Sequence, residues 1–169
     1  MNTSISASSG VRVALIVIIS LVPLFAAFAA VSGDEHWDNQ FGPVGANDTL
    51  QAIAVNGSNV FIGGNLTAAG NVKASRIASY DGTNWHALNN GMGAGAQVQA
   101  LAVDGPNVYA GGTFANADGS GATNIARWDG TSWYPLGSGV AGFVFAIKIV
   151  GTNLYAGGWY PTAGGGHGQ

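Results

Sequence analysis

The sequence contains no cysteine and few charged residues. None of the 169 residues is cysteine, which excludes disulfide bonds and thiolate-bound metal ions. Charged residues make up 8% of the chain, whereas a soluble domain has roughly 25%. Only five residues are basic, and the formal net charge is −3. Because no basic patch is available to neutralise phosphates, we expect no nucleic-acid partner.

Glycine is abundant instead, at 28 residues, and hydrophobic residues make up 47% of the chain. The glycines are interleaved with Val, Ile, Leu and aromatic residues, which distinguishes the chain from disordered low-complexity sequence. Such a mixture predicts many short apolar strands joined by tight turns. We therefore expect an all-β fold after the N-terminal segment.

The N-terminal segment is strongly hydrophobic. Val13 to Val31 forms a 19-residue apolar run that only Ser20 and Pro23 interrupt. As a helix it would span about 28 Å, close to the ~30 Å hydrocarbon core of a bilayer. Residues 1–33 are either a signal peptide, cleaved after Ala29, or an uncleaved membrane anchor, and Pro23 favours cleavage. Both alternatives predict an exported protein, secreted or at the cell surface, and the uncleaved anchor would contact the membrane only through residues 13–31.

An internal repeat follows this segment. Residues 49–92 align with residues 97–140 without a gap, at an offset of 48, and 19 of the 44 positions are identical. A third copy begins 46 residues after the second and stops before its second half. Repeats of this length indicate an architecture built from stacked units of the same structure.

Each full copy predicts four antiparallel strands. In the first copy these are Leu50–Val55, Val60–Gly64, Arg76–Tyr80 and Trp85–Leu88. Asn56-Gly57 and Asp81-Gly82 separate two pairs of strands, and such dipeptides predict type I′ turns with positive φ at both central residues. The first strand has Ala on one face and Ile or Val on the other, so we expect both faces to be covered by neighbouring sheets.

Glycine pairs end the second strand of each copy. Two adjacent glycines at a strand end suggest a close backbone approach or a positive φ, either of which a Cβ atom would oppose. We therefore expect Gly64 and Gly112 to be structural residues.

The recurring residues resemble the kelch pattern, in which a strand ends in a glycine pair and is followed by a tyrosine and then a tryptophan. The matching residues are Gly63-Gly64, Tyr80 and Trp85, then Gly111-Gly112, Trp128 and Trp133, and finally Gly157-Gly158. The chain is also similar to repeats of secreted bacterial propellers and of fungal cell-surface propellers. The resemblance implies a kelch-like β-propeller fragment of about three four-stranded antiparallel blades, preceded by one hydrophobic helix.

This resemblance sets the expected domain division of the exported part, residues 34–169. It comprises the outer strand of a first blade (34–48), repeat 1 (49–96), repeat 2 (97–142) and a partial repeat 3 (143–169). Closed propellers have four to eight blades. We therefore expect ring closure to need more blades than these.

No catalytic, cofactor-binding or metal-binding motif is recognisable. The three histidines lie at unrelated positions of the repeat, and Asp81 and Asp129 are expected to stabilise turns. Aromatic residues at repeat-fixed positions are expected in the core. The candidates for ligand binding are aromatic residues that vary between the copies, namely Tyr134, Trp159 and Tyr160.

We therefore expect a non-catalytic binding or adhesion module for a protein or carbohydrate at the cell surface, without a cofactor. One alternative is the N-terminal part of a propeller enzyme, a glycoside hydrolase or oxidase, whose catalytic residues lie outside this sequence. Another is a lectin whose ring closes by oligomerisation.

Overall fold

The computed structural model describes residues 45–163 and 166–167, and all regular secondary structure in this part of the chain is β-strand. The strands are β1 (Leu50–Asn56), β2 (Asn59–Gly64), β3 (Ala68–Ala69), β4 (Val72–Lys73), β5 (Ile77–Tyr80), β6 (Trp85–Ala87), β7 (Gln97–Asp104), β8 (Asn107–Thr113), β9 (Ile125–Trp128), β10 (Trp133–Pro135), β11 (Phe143–Val150), β12 (Asn153–Trp159), β13 (Thr162–Ala163) and β14 (Gly166–His167). No helix long and apolar enough to span a membrane occurs among these residues. The hydrophobic segment 13–31, and the part of the expected first-blade strand that precedes residue 45, lie outside them.

The strands form antiparallel sheets that follow the sequence repeat. Sheet I has the order β1-β2-β5-β6, sheet II the order β7-β8-β9-β10, and sheet III consists of β11 and β12. Two short hairpins, β3–β4 and β13–β14, stand apart from these sheets. The prediction of an all-β fold with four antiparallel strands in each full repeat is therefore confirmed, with strand ends within one residue of those expected.

The hairpin turns differ from the predicted type I′ geometry. Asn56 pairs with Asn59, so the two central residues are Gly57 and Ser58. Gly57 has a φ of +61°, whereas Ser58 does not have a positive φ. Glycine at the first central position is the requirement of a type II′ turn. The Asn of the Asn-Gly dipeptide is the last paired residue of the strand, which places the turn one residue later than predicted.

A β-bulge near the start of each first strand explains the second glycine of each pair. The strand register shifts between Leu50 and Ala52, and at the equivalent positions of β7 and β11. A Cβ atom on Gly64 would overlap the carbonyl oxygen of Thr49, and one on Gly112 would overlap that of Gln97. Close backbone approach, not a positive φ, is therefore the reason for glycine at these positions.

Packing between sheets explains the first glycine of each pair. Strand β7 lies against β1, and β11 lies against β7, so that the sheets stack face to face. The Val98 side chain enters the space above Gly63, where a Cβ atom would lie 3.0 Å from Val98 Cβ. Val144 occupies the same position above Gly111. We use the term glycine socket for the space above such a glycine of a second strand, which a valine of the next sheet fills.

Most of the core lies between sheets I and II. Its fully or nearly buried members include Phe61, Ile77, Leu88, Met92, Val98, Val108, Phe114, Trp128 and Trp133. A smaller cluster joins sheets II and III. Both faces of sheet II are therefore covered, as the apolar faces of its first strand predicted.

Candidate functional site

Exposed hydrophobic side chains are concentrated on sheet III. Among residues 45–163, eight large hydrophobic side chains are exposed. Five belong to β11 or β12, two to β1, and one to β10: they are Phe143, Phe145, Val150, Tyr155, Trp159, Ile53, Val55 and Tyr134. Such clustering on one sheet is what distinguishes an interaction surface from the scattered exposure that is normal for soluble proteins.

Three of these side chains form a stacked aromatic group where β11 begins and β12 ends. Phe143 pairs with Trp159 across the two strands, so their side chains lie on the same face. The ring centroids of Phe143 and Trp159 are 5.7 Å apart, and those of Phe143 and Phe145 are 6.0 Å apart with parallel planes. Trp159 is 69% exposed. We call Phe143, Phe145 and Trp159 the aromatic rim.

The equivalent positions in the other two sheets are polar. In sheet II they are Gln97, Gln99 and Thr113, and in sheet I they are Thr49, Gln51 and Asn65. The fold therefore does not require aromatic residues at these positions. Sheet II covers one face of sheet I, yet Thr49 and Gln51 remain exposed. Asn65, at the third of these positions, is half-buried, and so are all three equivalents in sheet II, so a sheet that packs alongside covers these positions in part.

Polar atoms without partners lie at the same end of the sheets. The side-chain oxygens of Asn65 and Gln99 are buried and have no hydrogen-bond partner among residues 45–163, and the same holds for Nε of Arg76. Arg76 contacts this region because its guanidinium donates to the carbonyl oxygen of Asn65. A buried acceptor or donor without a partner costs about 1–3 kcal/mol.

The three aromatic residues singled out in the sequence have different environments. Trp159 belongs to the aromatic rim. Tyr160 instead packs in the core between sheets II and III, and its hydroxyl donates to the carbonyl oxygen of Ala156 at 2.8 Å. Tyr134 lies on the outer strand β10, where the Arg127 guanidinium stands 4.9 Å from the centre of its ring. The structure therefore does not bring the three together.

Sequence reasoning missed Phe143 and Phe145. The signal was present in the repeat alignment, where both residues replace glutamines of the second copy. A phenylalanine within a strand looks like an ordinary core residue, whereas only the structure shows that both rings are exposed and stacked on each other.

Both repeated aspartates stabilise turns, as predicted. Asp81 Oδ1 accepts hydrogen bonds from the backbone N–H groups of Thr83 and Asn84, each at 2.7 Å. The backbone N–H of Asn84 and the side chain of His86 lower the pKa of Asp81 from 3.8 to about 2. Asp129 Oδ1 accepts the two equivalent hydrogen bonds, from the backbone N–H groups of Thr131 at 2.8 Å and Ser132 at 2.9 Å. These bonds, and chiefly the one from Ser132, lower the pKa of Asp129. These carboxylates are thus held ionised by their own loops.

The described part of the chain holds no group of three or more His, Asp or Glu side chains that could bind a metal ion. His86 is paired with Asp81 at 2.8 Å instead.

Comparison with known proteins identifies no relative of this chain: no family matches its sequence, and no curated protein is significantly similar to it.

Proposed function

We propose that this chain is an exported, non-catalytic binding module built from kelch-like propeller blades, and that its aromatic rim binds a carbohydrate. The observation that carries this proposal is the replacement of three polar residues, Gln97, Gln99 and Thr113, by three stacked aromatic residues in the third sheet. A coordinated change at positions that the fold does not constrain indicates selection for a contact outside the fold.

The propeller architecture is supported by the way in which the sheets follow one another. Successive sheets place their first strands side by side, and each glycine socket is filled by the next sheet. Four-stranded antiparallel sheets that stack in this manner are the units of a propeller. Export is supported by the hydrophobic segment before residue 33.

A carbohydrate suits the rim better than a protein segment does. Aromatic rings present a flat apolar surface on which the C–H face of a sugar ring can stack. No charged side chain belongs to the rim itself, which favours a neutral ligand.

Affinity electrophoresis in gels that contain soluble glucan, xylan, mannan or chitin oligomers tests this proposal. We expect one of these polysaccharides to retard the protein. Trp159→Ala should then weaken binding by roughly 30-fold, because truncating a central aromatic contact costs about 2 kcal/mol. Tyr134→Ala is the matched control, since Tyr134 is also an exposed aromatic residue but lies on the outer strand.

Retardation that is equally weakened by Tyr134→Ala, or unaffected by Trp159→Ala, would contradict a site at the aromatic rim. If none of the polysaccharides retards the chain while a protein ligand binds through Trp159, the carbohydrate assignment is wrong.

A further inference from the structure

The outer face of sheet III is one half of an interface that the molecule makes twice internally. We call this face, formed by Ala146, Val150, Tyr155 and Gly157, the tail face. Tyr155 is 57% exposed, whereas its equivalent Phe61 in sheet I is covered by sheet II and is only 8% exposed. Among the described residues no side chain fills the glycine socket at Gly157, where a Cβ atom would meet only Ala146 Cβ, at 3.8 Å.

The outer face of sheet I is the other half. We call this face, formed by Leu50, Ile53, Val55 and Val60, the head face. In sheet II the equivalent residues are Val98, Leu101, Val103 and Val108, and all four pack against sheet I. On the head face Ile53 is 54% exposed and Val55 is 57% exposed. In the described part of the chain, therefore, no valine fills the socket on the tail face, and no second sheet covers the exposed aliphatic residues of the head face.

We propose that the head face of a second copy of this chain packs on the tail face of the first, with Leu50 entering the socket at Gly157. Leu50 occupies the position of Val98 in the register, opposite the second glycine of its pair. The contact would repeat the geometry already present between sheets I and II. Its test does not depend on the carbohydrate site, because association is measured without a polysaccharide.

A second copy fits these faces because their shape and polarity are already matched within one chain. The head face carries only aliphatic side chains, and Lys148 is the one charged residue on the tail side of β11. Head-to-tail contacts between identical copies either close into a ring or continue into a filament. The closed-ring form of this inference rests on the proposed propeller architecture.

Sedimentation velocity of the full chain tests the proposal, with one variant for each face. Gly157→Leu fills the empty socket and is expected to leave the monomer folded, because open space surrounds Gly157. Ile53→Asp places a charge on the head face at an exposed position. The wild type should associate as its concentration rises to about 100 μM, an affinity of roughly −5.5 kcal/mol or better. Each variant alone should lose that association.

Mixing the two variants separates a head-to-tail contact from any symmetric one. Gly157→Leu keeps an intact head face, and Ile53→Asp keeps an intact tail face, so an equimolar mixture should form a dimer that grows no further. Gly45→Leu is the matched control for the glycine substitution, since Gly45 also has open space around it and no positive φ. A monomeric wild type, variants that still associate, or a mixture that stays monomeric while the wild type associates would each overturn the proposal.

Cross-linking gives a readout that does not depend on these variants. The chain has no cysteine, so any disulfide between Leu50→Cys and Gly157→Cys chains must come from the engineered pair. In the equivalent internal pair a Cβ atom on Gly63 would lie 3.0 Å from Val98 Cβ. A shift of about 0.5 Å would therefore bring the engineered pair into the roughly 3.5–4.5 Å range of disulfides. We expect the mixed variants to form cross-linked dimers on mild oxidation, and Tyr134→Cys mixed with Gly157→Cys to form none. Equal cross-linking in both mixtures would overturn the head-to-tail contact but leave rim binding untouched.

Discussion

Replacing each glycine of a pair by alanine should have effects that differ in size according to what the new methyl group meets. At Gly111 a Cβ atom would lie 2.5 Å from Val144 Cγ1 and 2.8 Å from Ile147 Cδ1. Both obstacles are side chains that can move slightly, so Gly111→Ala should destabilise the fold by about 1–3 kcal/mol through overpacking. At Gly112 the obstacle is the backbone carbonyl of Gln97 in the bulge, which cannot move without changing the strand register. We therefore expect Gly112→Ala to cost about 3 kcal/mol or more.

Gly157→Ala is the matched control within the same chain. Gly157 is the repeat equivalent of Gly111, but only Ala146 Cβ lies near it, at 3.8 Å. We expect a change within about 0.5 kcal/mol, with a small gain from the reduced entropy of the unfolded chain.

Urea unfolding followed by tryptophan fluorescence at low micromolar concentration measures the three free energies of unfolding, provided that the slope with denaturant stays constant. Equal effects of Gly111→Ala and Gly157→Ala would refute the reasoning, because the first socket would then not be filled by the next sheet. A harmless Gly112→Ala would likewise refute the role given to the bulge.

Three further predictions follow from individual contacts. Trp133→Phe should destabilise the fold by about 1–2 kcal/mol more than Trp85→Phe, and urea unfolding curves of the two variants measure the difference. The reason is that Trp133 Nε1 donates to the Leu88 carbonyl oxygen at 3.0 Å, whereas Trp85 Nε1 is buried without a partner among residues 45–163. Asp81 has a lowered pKa of about 2, so the stability that it contributes should be complete above about pH 4 and lost as the pH falls toward 2. In Asp81→Asn the urea unfolding midpoint should therefore change less with pH over that range than it does in the wild type. Lys148→Ala restores the residue type found at Ala54 and Ala102, so sedimentation at several concentrations should show tighter self-association, and weaker association would contradict the head-to-tail contact.

The strands and their order within each sheet could be predicted from the repeat alone. Each strand is bounded by a turn dipeptide or a glycine pair, and these local signals recur in register. The type of the β1–β2 turn could not be predicted, because the dipeptide does not say whether Asn56 is the last paired residue or the first turn residue.

The candidate site was only partly predictable. Trp159 departs from the repeat pattern, and that departure indicated it. Tyr160 departs from the pattern in the same way, yet it packs in the core and its hydroxyl donates to the Ala156 carbonyl oxygen. Aligning the repeat copies does not distinguish an exposed aromatic residue from a buried one. Phe143 and Phe145 were missed because exposure depends on which face of sheet III is covered, a property of the stacking that no local pattern encodes.

Restoring the repeat at the aromatic rim tests the central claim most directly. The triple variant Phe143→Gln, Phe145→Gln, Trp159→Thr carries the residues that sheet II has at the same positions, so it should fold as stably as the wild type. Titration calorimetry with the polysaccharide that retards the wild type should then detect no binding, while the urea unfolding midpoint changes little. Undiminished binding by the triple variant, or a large loss of stability, would contradict the account, because the rim would then be either irrelevant to the ligand or part of the fold itself.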